Sequence, residues 1–159
     1  MSRPEGTTMY SKILVPLDGS ETAERGLREA IALAGALKSH LVLLHVVDDY
    51  PIMVDVASAV NFEEMRRYLL KFGDDVLYKA RKQASEAAVS TEGVLREVST
   101  IRASQAIVEE ASKQGCSLVV MGTHGRRGFN RLAMGSDAEL VTREAPVPVL
   151  LVRHPDAKG

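Results

Sequence analysis

Short, almost wholly apolar runs recur along this 159-residue chain and limit its fold more than any other feature. Lys12–Leu17, Leu41–Val47, Ser117–Met121 and Val147–Val152 are rich in Val, Ile and Leu and too short to be buried helices. Runs of this kind fit strands buried on both faces, as in a parallel sheet covered by helices. Helical patterns lie between them, as that architecture requires. After the first run, Ser20 is placed to cap a helix, with Glu21 and Glu24 near the positive end of its dipole. Ala23, Leu27, Ala30, Ile31, Ala34 and Leu37 form its apolar stripe.

The longest helical pattern runs from Asn61 to about Val89, with Phe62, Met65, Leu69, Phe72, Val76, Ala80 and Ala87 on one face. Gly73 interrupts it at about 1 kcal/mol relative to Ala, which predicts a kink. Ile52–Val60 reads as a loop with one helical turn. Gly93 opens an alternating segment, Val94–Ser99, expected to be a half-exposed edge strand. A third helix is expected over Ala103–Gln114, ended by Gly115 in the left-handed conformation. A glycine-rich loop, Gly122–Gly135, leads into a short helix that stops before Pro146. The pattern is one α/β domain, β-α-β-α-β-α-β-α-β.

Composition removes several functions. Twenty Lys and Arg against 21 Asp and Glu leave a net charge of -1, which argues against a general nucleic-acid binder. No Trp, three Phe and four Tyr give few platforms for stacking bases. One cysteine, Cys116, forms no internal disulfide and no paired-cysteine zinc site; it reads as a small buried hydrophobe in a reducing cytoplasm. No apolar run approaches the roughly 20 residues of a membrane span. Met1–Thr8 is polar and lacks the apolar stretch of a signal peptide. A cytoplasmic location is therefore expected.

In open parallel sheets, ligands bind beyond the carboxyl ends of the strands, where the strand order reverses. Pro16-Leu17-Asp18-Gly19-Ser20, Val46–Asp48 and the segment from Gly122 onward all fall at such ends. Glycines in the Gly122–Gly135 loop let backbone N–H groups approach an anion, and Gly135-Ser136 opens a helix whose first amides favour phosphate. Arg126, Arg127 and Arg131 add positive charge. The loop is neither a Walker A sequence nor a dinucleotide fingerprint. From the residues alone it is a phosphate cradle or an exposed glycine-rich connection. Asp18-Gly19-Ser20 is equally a sound turn and helix start, and Ser136-Asp137-Ala138-Glu139 equally a capping box. His45 fits a satisfied core histidine, and His124 a loop histidine within reach of phosphate.

Gly122, Gly125, Gly135 and Ser136 stand at the spacing Gly-x2-Gly-x9-Gly-Ser/Thr. With Lys12-Ile13-Leu14-Val15-Pro16 and Asp18, Leu44-His45-Val46, and Pro146–Val152, they give the chain a resemblance to the universal stress protein family, in its ATP-binding branch. The resemblance spans about Met9–Arg153, between tails 1–8 and 154–159. It implies a three-layer α/β/α sandwich with a five-stranded parallel sheet of Rossmann-like topology in the order 3-2-1-4-5. It implies ATP, or AMP or ADP, held by Pro16, Asp18, Val46, Met121, Gly122, Gly125, Gly135, Ser136 and Asp137, with Mg²⁺ bridging phosphate oxygens. Within that set it assigns Asp18 to the ribose hydroxyls or the adjoining metal-phosphate region, the Val46 backbone to the adenine edge, Gly122 to a place close to the ribose, Met121 to the base, and Gly125, Gly135 and Ser136 to the phosphates.

It also implies a homodimer through strand 147–152 and a nucleotide-dependent stress regulator that acts on a protein partner. The Gly122–Gly135 loop would be its switch, and ATP hydrolysis would be slow at most. No pairing of residues that would activate water is legible, so no catalytic residue is assigned. A true ATP-hydrolysing enzyme and an interaction module without nucleotide are the competing readings.

Overall fold

The computed structural model describes residues 8–49, 62–124 and 134–153. Five strands and four helices alternate: β1 (Lys12–Pro16), α1 (Glu21–Leu37), β2 (His40–Asp48), α2 (Phe62–Glu86), β3 (Thr91–Val98), α3 (Ala103–Lys113), β4 (Leu118–Gly122), α4 (Ser136–Glu144) and β5 (Val149–Val152). All strand pairings are parallel, in the order β3-β2-β1-β4-β5. The central strand β1 sits level with β2 through Ile13–Leu41 and with β4 through Ile13–Leu118. Chain connections run one way from β1 to β3, then cross back to β4 and β5. The order therefore reverses between β1 and β4.

Helices cover both faces, which explains the apolar runs. Ile13, Val15, Leu41, Leu43, Leu118 and Val120 pack under α1 and α2, through Leu27, Ala30, Leu77 and Ala80. Leu14, Val42, Leu44, Val119 and Met121 pack under α3 and α4, through Ile107, Ala111, Ala138 and Val141. β3 is an edge strand whose residues are mostly half-buried, as its alternation predicts. One ion pair enters the second face. Glu110, 1% exposed, accepts from Arg96 Nη1 at 3.4 Å and from Gln114 Nε2 at 2.8 Å. A buried carboxylate needs such partners to remain charged.

Local signals set most of the boundaries, with some differences. Ser20 caps α1, its Oγ accepting from the Ala23 N–H at 3.2 Å. Gly115, at φ +65°, ends α3, with Cys116 N–H donating to the Ala111 carbonyl at 2.9 Å. Helix α2 stops at Glu86, earlier than expected, because Ala88 turns left-handed at φ 56° and Val89 N–H donates to the Ala84 carbonyl. No glycine marks that stop. Strand β3 begins at Thr91, ahead of Gly93, and the Arg81 guanidinium lies over that glycine.

Strand β5 begins at Val149, since Pro148 has no N–H for the ladder, although its carbonyl accepts from Val119 at 3.0 Å. The expected capping box at Ser136 is absent. Gly135 is the N-cap of α4, Ser136 is the first helical residue, and no side chain caps that end. Helix α2 runs without interruption through Gly73, from Phe62 to Glu86. Gly73 is there for close approach: a Cβ would lie 2.5 Å from Leu95 Cδ1 and 2.6 Å from His45 Cδ2. The predicted loop at 52–60 lies outside the described residues.

Candidate functional site

The carboxyl edge of β1, β2 and β4 gathers most of the candidate residues. Pro16 ends β1, half-buried, and Leu17 N–H still donates to the Leu44 carbonyl of β2 at 2.8 Å. Asp18 then turns the chain: its Oδ1 accepts from Ser20 N–H at 2.9 Å, a short-range bond typical of aspartate turns. Gly19 has φ +81°, and a Cβ there would meet Phe72 Cζ at 2.8 Å. Turn geometry and α2 both demand glycine at that position. Asp18 is half-buried at the mouth of the edge.

Beside this turn, β4 ends in Met121 and Gly122. The pairs Ile13–Leu118 and Leu14–Val119 set the register between β1 and β4. Met121, 7% exposed, belongs to the core under α3 and α4. Gly122 is buried for a reason the sequence did not show. A Cβ on it would lie 2.7 Å from Thr22 Cγ2 and 2.8 Å from the Thr22 backbone. A Cβ on Gly26 would in turn meet the Gly122 nitrogen at 3.2 Å. The two glycines let the first turns of α1 rest directly on the end of β4, so the α1 amino end and the Asp18 turn are fixed against that strand. Gly26, a glycine inside the alanine-rich stripe of α1, was the readable signal.

Thr123 joins the next piece. Its N–H donates to the Val152 carbonyl of β5 at 3.0 Å, and its carbonyl accepts from Gly135 N–H at 2.7 Å. That second bond closes the glycine-rich loop at its neck and sets the amino end of α4 beside the end of β4. Gly135 N–H is thereby engaged, and the amides of Ser136, Asp137 and Ala138, in the first turn, have no intrahelical acceptor. Ser136 and Asp137 are exposed. Thr123 Oγ1 also lies 2.9 Å from His124 Nδ1. Val46 is half-buried in β2, level with Arg96 of β3. Gly125 and the arginines at 126, 127 and 131 lie outside the described residues. Among the described residues no cluster of three or more His, Cys, Asp or Glu has the arrangement of a metal site, and no helix is long and apolar enough to cross a membrane.

The sequence pattern of the Universal stress protein family matches residues 9–153. The chain belongs to the universal stress protein family. It is 34% identical over 150 residues to Universal stress protein MJ0531 of Methanocaldococcus jannaschii, covering 94% of this chain and 86% of that one. Among solved structures it is similar to MJ0577 of the same organism, with TM-score 0.80, 27% identity, and coverage of 94% of this chain and 99% of the other. A more distant universal stress protein, from Archaeoglobus fulgidus and in complex with dAMP, shares the fold at TM-score 0.63 and 21% identity, covering 91% and 98% of the two chains. The Rossmann-like topology and the order 3-2-1-4-5 that the family resemblance implied are those observed.

Proposed function

We propose that this universal stress protein binds ATP at the carboxyl edge of β1, β2 and β4 and uses occupancy as a signal. The observation that carries the reading is the bond from Gly135 N–H to the Thr123 carbonyl. It holds the uncapped start of α4 beside the end of β4, the neighbour of β1 where the strand order reverses. Open first-turn amides beside a switch point suit phosphate, which accepts from N–H groups and is favoured by the helix dipole. Glycines 122, 125 and 135 with Ser136 carry the Gly-x2-Gly-x9-Gly-Ser spacing of the nucleotide-binding branch.

In this reading Asp18 accepts hydrogen bonds from the ribose hydroxyls, and Pro16 lines the cleft beside it. The Val46 backbone meets the adenine edge, and Met121 with Gly122 forms the floor. Phosphates lie against Gly125, Gly135, Ser136 and the amide of Asp137. The described edge carries the Asp18 and Asp48 carboxylates, and Arg126, Arg127 and Arg131 of the glycine-rich loop, with Mg²⁺, would supply positive charge for the triphosphate. Mg²⁺ would be held mainly by the phosphates, with few protein ligands, and would neutralise part of their charge. AMP or ADP would use the same ribose and base contacts, and dAMP bound to the fold in a distant relative is in keeping with that.

No residue is assigned to activate water, so turnover is slow and the role is regulatory, in the cytoplasm, through a protein partner. The protein acts as a homodimer through β5, an edge strand with Leu150 39% exposed. Titration calorimetry tests the site. ATP binds the wild-type protein, and Gly125→Val or Gly135→Val weakens it at least tenfold. Unchanged affinity in both variants overturns the assignment. Absence of binding to the wild type would favour the interaction module, and rapid phosphate release the true enzyme.

A further inference from the structure

His45 is buried in β2, 5% exposed, and its Nδ1 lies 2.7 Å from the Leu17 carbonyl. A carbonyl only accepts, so Nδ1 carries the hydrogen and donates. The ring packs edge-on to Phe72 of α2, with centroids 5.8 Å apart at 64°. Gly73 leaves room for it, since a Cβ there would come within 3.2 Å of Nε2. Phe72 in turn meets the other side of the same turn at Gly19. Asp18 therefore sits between two held residues: Leu17, gripped at its carbonyl by His45, and Gly19, seated on the ring that His45 touches.

We infer that His45 is a positioning residue of the nucleotide site, its Nδ1–H fixing the Leu17–Gly19 turn so that Asp18 faces the ribose. The inference rests on the ATP reading above. Its chemistry is specific to one ring nitrogen, which makes it testable by shape. Asn places an N–H near the position of Nδ1, Gln extends past it toward that of Nε2, and Leu fills the space with no donor.

The experiment measures ATP affinity by calorimetry for the wild type, His45→Asn, His45→Gln and His45→Leu, each checked for folding by circular dichroism. Losing one hydrogen bond that holds a binding group corresponds to about a tenfold loss of affinity, expected for His45→Leu and His45→Gln. His45→Asn should stay within about threefold of wild type. In an Asp18→Ala background the effect of His45→Leu should vanish, because the histidine acts through that aspartate. Equal affinity in all folded variants, or a loss that persists undiminished without Asp18, overturns the inference. If His45→Leu does not fold, the comparison of Asn with Gln decides alone: equal affinities refute it. Failure of the wild type to bind ATP refutes the nucleotide reading and this inference with it; binding that is indifferent to His45 refutes only the latter.

Discussion

Single residues in this protein answer to more than one demand, and the glycines make that plain. Gly122 belongs to the Gly-x2-Gly-x9-Gly-Ser spacing, yet its lack of a side chain is already required by the Thr22 backbone pressed against it. Gly19 is fixed by its φ of +81° and by Phe72 together. Motif spacing marked Gly122 and a turn sequence marked Gly19, but neither could supply these contacts, which come from residues distant in the chain. Cys116 behaved as its apolar surroundings implied: it is 5% exposed, and burial pushes its thiol up to about 11. An unfolded thiol titrates near 8.5. Because the folded value is raised, this group's contribution to stability is complete below about pH 8.5 and is lost as pH rises toward 11. Native protein at pH 8 should accordingly label with a thiol reagent far more slowly than protein in denaturant; labelling at the free-cysteine rate would show the site to be open.

Elements were legible where periodicity and end signals coincided, as in α1 between Ser20 and Leu37 and in α3 ahead of Gly115. They were misread where tertiary contact overrode local preference. Gly73 looked like a defect in a long helix, but it is the point where α2 lies closest to His45 and Leu95. Gly73→Ala should therefore destabilise the protein. The gain in helix propensity, about 1 kcal/mol, is outweighed by overpacking of about 1–3 kcal/mol, and chemical denaturation would measure the balance. A more stable variant would mean the helix can move outward freely.

The early end of α2 had no sequence signal because an ordinary alanine, Ala88, occupies the left-handed position, exposed to solvent. A left-handed alanine costs about 1–2 kcal/mol, and glycine returns part of that gain through its freer unfolded chain. Ala88→Gly is thus expected to raise stability by about 0.5–1 kcal/mol, or about 1–4 °C in Tm by calorimetry. No change or a loss would contradict the assigned helix end.

At the scale of the whole molecule, the proposed function follows from where the strand order reverses across the sheet. β1 and β4 are neighbours whose connections depart to opposite faces, and the Asp18 turn, Gly122 and the start of α4 all lie at that edge. Alternating apolar runs made the α/β class readable. The neck bond between Gly135 and Thr123 was not, since a hydrogen bond across a loop leaves no periodic trace. A ligand bound only by the folded state at 100 times its Kd adds about 2.7 kcal/mol, which for a chain of this size is about 5–10 °C. ATP in that excess should raise Tm by this amount, and an unmoved Tm would count against binding.

The central claim concerns place as well as affinity, and amide chemical shifts during an ATP titration test both at once. The largest changes are expected at Leu17, Asp18, Gly19, Val46, Gly122, Thr123 and Ser136, with Lys12, His40 and Glu92 at the opposite ends of the strands unaffected. Saturable changes centred on those opposite ends, or none anywhere, would contradict the account.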